Sequence, residues 1–200
     1  MTTHPIEAES YRILAARADL SQLGAGPRAV VERVIHASAD LEFATSMVVD
    51  EEAVAAGVAA AAAGAPVVVD VEMVRAGITG YPAQSFLHEA VAGAGGFPTR
   101  SAMAMRIAAE RWPDGAVWVI GCAPTALNEV LEMTAAGRIR PGLVIALPVG
   151  FVGAAEAKQA VRDLHVRTGL PVISNRGEKG GSAVAAAAFN ALVRLSRSGD

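Results

Sequence analysis

Val67-Val68-Val69-Asp70 is an unbroken apolar run that ends in a carboxylate. Three β-branched residues in succession send side chains to both faces of a strand, so neither face of this one is turned to water. An alanine-rich helix opening at Asp50 comes before it, and Gly64-Ala65-Pro66 ends that helix. Downstream the same rhythm repeats: 116–120 reads as strand, 125–136 as helix, 143–147 as strand, 154–167 as helix, 172–174 as strand and 182–197 as helix. Strands separated by helices are joined by crossovers and pair in parallel. With 43–49 added for its β-branched content, five strand candidates predict a doubly wound α/β sandwich with helices on both faces of the sheet.

The remaining segments fit around that frame. Pro5-Ile6-Glu7-Ala8-Glu9-Ser10 leads into Tyr11, Ile13 and Leu14, with acidic residues early and Arg17 late, as a helix prefers. Leu23-Gly24-Ala25-Gly26-Pro27 breaks this helix and opens the next, which runs to His36. After Asp70, Met73, Val74 and Ala76 form the apolar side of another helix. Residues 77–82 are too rich in glycine and proline to be regular, 86–92 is read as helical, 93–98 as a loop, and a further helix runs from Thr99 to Arg111.

Two hundred residues, 52% of them apolar, suffice for one buried core, and no repeat or linker divides the chain, so 1–200 is expected to be a single domain. The net charge of -3 comes with no basic cluster denser than Arg138-Ile139-Arg140, which argues against nucleic acid as a partner. The lone Cys122 has no intramolecular disulfide partner, and the N-terminus lacks a basic segment followed by an apolar core; a cytoplasmic protein is expected. The longest uncharged run, 53–69, contains Gly64 and Pro66 and is a little short for a membrane span.

Ligands of open α/β sheets gather beyond the carboxyl ends of the strands. Here those ends are built of small residues: Asp70 itself, Gly121-Cys122-Ala123-Pro124-Thr125, Pro148-Val149-Gly150-Phe151-Val152-Gly153, and Asn175-Arg176-Gly177-Glu178-Lys179-Gly180-Gly181-Ser182. Small side chains let backbone N–H groups approach a ligand, and the helix starts that follow favour carboxylates or phosphates. Lys179 and Arg100, each beside a helix start, add full positive charge for the same anions. Tight turns alone would also account for the glycines of any single loop.

Val34-Ile35-His36-Ala37-Ser38-Ala39-Asp40 closes an amphipathic helix with a histidine in its last turn. The helix dipole favours imidazolium there, and histidine is the side chain that changes charge near neutrality, so His36 is a candidate proton donor. The position equally suits a histidine that only caps the last carbonyls, and this stretch leaves both readings open.

Other chemistries find little support. Gly93-Ala94-Gly95-Gly96 follows no clear strand and lacks dinucleotide-fingerprint spacing, and 176–182 lacks the order of a phosphate loop, so no nucleotide cofactor is expected. His4, His36, His88 and His165 are scattered without a local metal pair. Cys122 precedes a helix, where a thiolate would be stabilised, but also suits an ordinary small buried residue. No serine nucleophile elbow is present.

Six blocks in order resemble those of the precorrin-8X methylmutase family: 34–40, Asp70-Val71-Glu72-Met73-Val74 with Gly77-Ile78, Thr99-Arg100-Ser101, Gly121 to Leu127, Pro148 to Gly153, and Lys179-Gly180-Gly181-Ser182. Pro5-Ile6-Glu7 with Ser10 fits as well, and the resemblance covers nearly the whole chain. It departs at Cys122, where the family often has asparagine, which puts any side-chain amide contact there in doubt. The resemblance implies a flavodoxin-like three-layer α/β/α sandwich with a mostly parallel five-stranded sheet. It implies a homodimer without cofactor that moves a methyl group from C-11 to C-12 of precorrin-8X to give hydrogenobyrinate, or of the cobalt form to give cobyrinate. It also implies His36 as the catalytic acid and Ser10, Thr79, Arg100 and Lys179, with Gly180 and Gly181, as substrate contacts. Met73, Ile78, Tyr81 and Phe151 are candidates to flank the flat ring. Two rival readings stay in view: a carrier that holds a corrinoid without chemistry, and an unrelated enzyme with Cys122 as nucleophile.

Overall fold

The computed structural model describes residues 4–91, 93, 96 and 99–198. In chain order the elements are α1 (Pro5–Arg17), α2 (Ala25–Ser38), α3 (Phe43–Ser46), β1 (Met47–Val48), α4 (Glu51–Ala62), β2 (Val67–Val69), α5 (Glu72–Gly77), β3 (Gln84–Ser85), α6 (Arg100–Arg111), β4 (Val117–Ile120), α7 (Pro124–Ala135), β5 (Leu143–Ala146), α8 (Ala154–Thr168), β6 (Val172–Asn175) and α9 (Ser182–Ser198). They build a six-stranded sheet in the order β1-β6-β5-β4-β2-β3. Every pair is parallel except β1 with β6.

The apolar runs are buried on both sides, as their composition requires. Val67, Val69, Val117, Val119, Leu143, Ile145 and Ile173 pack with residues of α2, α4, α5 and α9 in one core. Their neighbours Val68, Trp118, Ile120, Val144, Ala146 and Val172 pack with α6, α7 and α8 in the other. Two-residue alternation along each strand thus divides the side chains between two helical layers. The alanine faces of α4 and α9 are used inside the first core, through Ala53, Ala61 and Ala185 to Ala188. At Gly57 of α4 a Cβ would come within 2.5 Å of Leu192 Cδ1 and 2.9 Å of Leu143 Cδ2, so glycine sets how closely α4 approaches α9 and the sheet.

The sequence expectation of five strands is corrected to six in a mixed sheet. Of the strand expected at 43–49, Phe43–Ser46 is a helical turn closed by Ser46 N–H donating to Glu42 O at 3.0 Å, and only Met47 and Val48 pair, antiparallel, with Asn175 and Ser174. Gln84–Ser85 was not expected as a strand: two residues without β-branching carry no periodic signal, and they pair only because β2 leaves an open edge. Residues 87–89 form a turn, where a helix was expected over 86–92. Residue 92 and most of the loop expected at 93–98 lie outside the described residues. Met73, expected on the apolar side of α5, is 63% exposed, because this short helix buries Val74 alone.

Candidate active site

The strand order reverses between β2 and β4: from β2 the chain crosses to β3 on one side, then to β4 on the other. The crevice beyond the carboxyl ends of β2 and β4 is where such sheets take ligands. Here part of it is filled by the protein itself. Asp70, fully buried at the end of β2, accepts from Gly121 N–H (3.1 Å) through Oδ1 and from Cys122 and Ala123 N–H (both 2.8 Å) through Oδ2. It thereby takes amides just ahead of α7, which were expected to be available to an anion. Burial raises the Asp70 carboxyl above its ordinary range while the three amides pull it down. The Cys122 thiol is pushed up, first by burial and then by the Asp70 charge, which outweigh the opposing effect of Ser182. A thiol held protonated is a poor nucleophile, so the local electrostatics oppose the Cys122 reading.

His36 ends α2 in a different way from a capping histidine. Ala39, in the left-handed region at φ 53°, donates its N–H to Ile35 O at 2.7 Å, and Ser38 Oγ donates to Val34 O at 2.9 Å. The carbonyls of Val34 and Ile35 are therefore satisfied without the imidazole. His36 Nδ1 instead lies 2.7 Å from Ser10 Oγ of α1, and the ring stacks on Tyr11, centroids 5.1 Å apart and planes 17° off parallel. In the imidazolium form Nδ1–H donates to Ser10, and Nε2–H, which bonds to no other described residue, is left as the second acidic proton.

Four residues beyond His36, Asp40 meets the loop after β6. Lys179 Nζ lies 2.7 Å from Asp40 Oδ2 and 2.9 Å from Glu42 Oε2. The bond to Lys179 holds the Asp40 carboxyl below its ordinary range. Gly180 has no room for a side chain: a Cβ would stand 2.2 Å from Leu147 O and 2.6 Å from Pro148 O. Gly181, at φ 134°, donates to Leu147 O at 2.9 Å. The glycines thus seat the Lys179 loop on the loop after β5, where Phe151 and Val152 stand 91% and 88% exposed.

Ser10 and His36 are in contact, and Lys179 is tied to the segment just after α2 through Asp40 and Glu42. Two other expected site residues bond elsewhere among the described residues. Thr79 donates its N–H to Asn190 Oδ1 of α9 at 3.0 Å. Arg100, at the start of α6, donates to Leu87 O (2.7 Å) and Ala90 O (3.2 Å), bracing the turn after β3. Ile78 is buried in the core, which leaves it a packing role, and Tyr81 donates its hydroxyl to Ala65 O at 2.7 Å. Among the described residues no group of three His, Cys, Asp or Glu side chains could hold a metal ion.

Lys158 carries no motif signal in the sequence. It is a single lysine in the helical stretch Ala154-Ala155-Glu156-Ala157-Lys158, indistinguishable from a surface residue by spacing. In the fold it is completely buried beneath the Lys179 loop.

The sequence model of the precorrin-8X methylmutase family matches residues 5–195. The chain belongs to this family. A cobalt-precorrin-8 methylmutase of Priestia megaterium is 38% identical over all of this chain and 92% of its own length. A precorrin-8X methylmutase of Pseudomonas aeruginosa is 41% identical over 94% of this chain and 93% of its own. The crystal structure of precorrin-8X methylmutase from Thermus thermophilus superposes with a TM-score of 0.86 at 36% identity, covering 97% of this chain and 96% of that one. Methylmutases are intramolecular transferases, and this family serves cobalamin biosynthesis. Among the described residues no helix is long and apolar enough to cross a membrane.

Proposed function

We propose that this chain isomerises precorrin-8X to hydrogenobyrinate by moving the C-11 methyl group to C-12, with His36 as the acid. The observation that carries this reading is the Ser10–His36 hydrogen bond, which orients the imidazole and leaves its Nε2 proton uncommitted. Protonation of the conjugated macrocycle lets the ring system accept charge while the methyl group breaks from one carbon and bonds to the next. The proton returns to His36 as product forms, since an isomerisation has no net proton change. Such a step needs neither hydride nor nucleophile, and a positioned acid contributes ~10²–10⁴-fold.

The carboxylate arms of the substrate would be taken by Lys179, by the backbone at Gly180 and Gly181, and by Arg100, with Ser10 and Thr79 as further polar contacts. The exposed Phe151 and Val152 would flank the flat ring. The same reading has the protein acting in the cytoplasm as a homodimer on a flavodoxin-like sheet. Without β1, the five parallel strands, renumbered in chain order, run 2-1-3-4-5, the order that supports this assignment. Relatives named for the cobalt substrate and for the metal-free one match about equally well, at 38% and 41% identity, so both forms belong in the assay.

The test is an absorption time course of wild type and His36→Ala with precorrin-8X, repeated with cobalt-precorrin-8. Catalytic change of the chromophore by wild type, with binding but no conversion by the variant, supports the reading. A bound spectrum that stays constant with both substrates would instead make the protein a carrier. Sedimentation of wild type tests the homodimer.

A further inference from the structure

Lys158, in the second turn of α8, is fully buried, and its bonds go to neutral acceptors, with Glu178 acting on it only through space. Its Nζ donates to Asn175 Oδ1 at 3.0 Å and to the main-chain carbonyl of Lys179 at 2.6 Å. Asn175, itself fully buried, sends Nδ2 to the same Lys179 carbonyl at 2.8 Å and to Arg176 O at 3.2 Å. One turn further along α8, Arg162 Nη1 donates to Asn175 O at 2.7 Å. Burying an ammonium among neutral acceptors is far more costly than burying an apolar side chain of similar size, so core packing gives no reason for lysine here. What the lysine adds is a second donor on one carbonyl. Two donors converging there fix the peptide from which the Lys179 side chain departs toward Asp40 and Glu42.

We infer that Lys158 is a positioning residue, one that presets the 176–181 loop through the Lys179 carbonyl for the carboxylate arms of the substrate. The inference rests on the proposed function for the identity of that substrate. Burial brings the Lys158 ammonium down to about 8, so it remains a charged donor at neutral pH.

The experiment compares wild type, Lys158→Met, Lys179→Ala and the double variant in two measurements. Amide hydrogen exchange reads the clamp directly, at the Gly181 and Gly150 N–H groups that bond to Leu147 O and Glu178 O. In Lys158→Met these amides should exchange about tenfold faster while those of β4 and β5 keep their protection. Steady-state kinetics with precorrin-8X should show KM raised about tenfold and kcat within about threefold of wild type. In the Lys179→Ala background, Lys158→Met should raise KM by clearly less than it does in wild type, because part of its effect passes through the Lys179 side chain and only the Gly180 and Gly181 backbone is left to shift. Unchanged exchange in the folded variant overturns the inference, as does an equal KM penalty with and without Lys179, or a loss of kcat at constant KM. If wild type itself fails to convert precorrin-8X, the functional reading falls and takes the substrate part of the inference with it, while exchange still decides the clamp. Should Lys158→Met not fold, Lys158→Ala, which also removes the donor but leaves room for water at the Lys179 carbonyl, carries the same measurements.

Discussion

Replacing Asp70 with alanine removes the acceptor shared by three amides. Gly121, Cys122 and Ala123 donate to its carboxylate at 3.1, 2.8 and 2.8 Å, and the residue is fully buried. Each buried donor left without a partner costs about 1–3 kcal/mol, and with Gly121 buried but Cys122 and Ala123 only half-buried the simple sum, on the order of 3–9 kcal/mol, is an upper bound. Two effects move the result to the low end. Removing the carboxylate also removes its desolvation cost, and the space it vacates can admit water to some of the amides. A loss of about 3–4 kcal/mol is expected for Asp70→Ala, which at 2–4 °C per kcal/mol for a chain of this size lowers the melting temperature by about 10 °C. Asparagine separates the contributions. With its oxygen placed where Oδ2 stands it keeps Cys122 and Ala123, but it turns an amide donor toward Gly121 N–H, so about one amide is lost and the melting temperature should fall by about 5 °C. Thermal unfolding followed by circular dichroism measures both. If the alanine variant melts within a degree or two of the asparagine variant, the three amides do not depend on this carboxylate, and Asp70 does not hold the β2–β4 crevice.

Ser10→Ala should lower kcat about tenfold, because it loosens the imidazole without removing it, with KM raised a few-fold by the lost polar contact to substrate; a rise in KM with kcat unchanged would make Ser10 a binding contact only. Gly180→Ala forces a Cβ against Leu147 O and Pro148 O and should destabilise the fold by about 1–3 kcal/mol, read by urea unfolding, with substrate binding weakened as the loop shifts. Lys179→Ala should move the Asp40 titration, followed by NMR, upward toward the ordinary carboxylate range. In wild type the stabilisation from that pair is present above the unfolded-chain value and is lost as pH falls through the depressed folded one, so the two proteins should converge in acid. Lys158 gives a dependence of the same sign in an alkaline window. Its ammonium is lowered from 10.5 to about 8 in the fold, so between those values the unfolded chain holds a proton that the folded protein has shed. Wild type should therefore gain stability relative to Lys158→Met as pH rises through that window, and a flat difference would show the ammonium to be better solvated than its burial implies.

The α/β class and both helical layers were legible in the sequence because they rest on local signals. Runs such as 67–69, 117–120 and 143–146 are apolar at every position, and only a strand covered on both faces accommodates that. His36 was legible as a candidate for the same kind of reason, since its place in the last turn of α2 follows from helical spacing. Whether it capped the helix or faced a partner was not, because Ser10 is 26 residues away and the two meet only when α1 packs on α2. The two-residue strands at 47–48 and 84–85 carry no period of their own and exist through pairing with strands distant in the chain. Asp70 stood out as a strand-end carboxylate, yet its task of holding the amides ahead of α7 needs β2 and β4 side by side. Lys158 is the clearest case of tertiary control. A lysine in a helix is ordinarily a solvated charge, and what buries this one and aims it at the Lys179 carbonyl is the closure of the 176–181 loop over α8. Sequence by itself determined which segments form and which faces they bury, because those depend on neighbours within a few residues. The tertiary structure decided which polar groups meet, because a hydrogen bond depends on positions in space that chain separations of 17 to 139 residues do not encode.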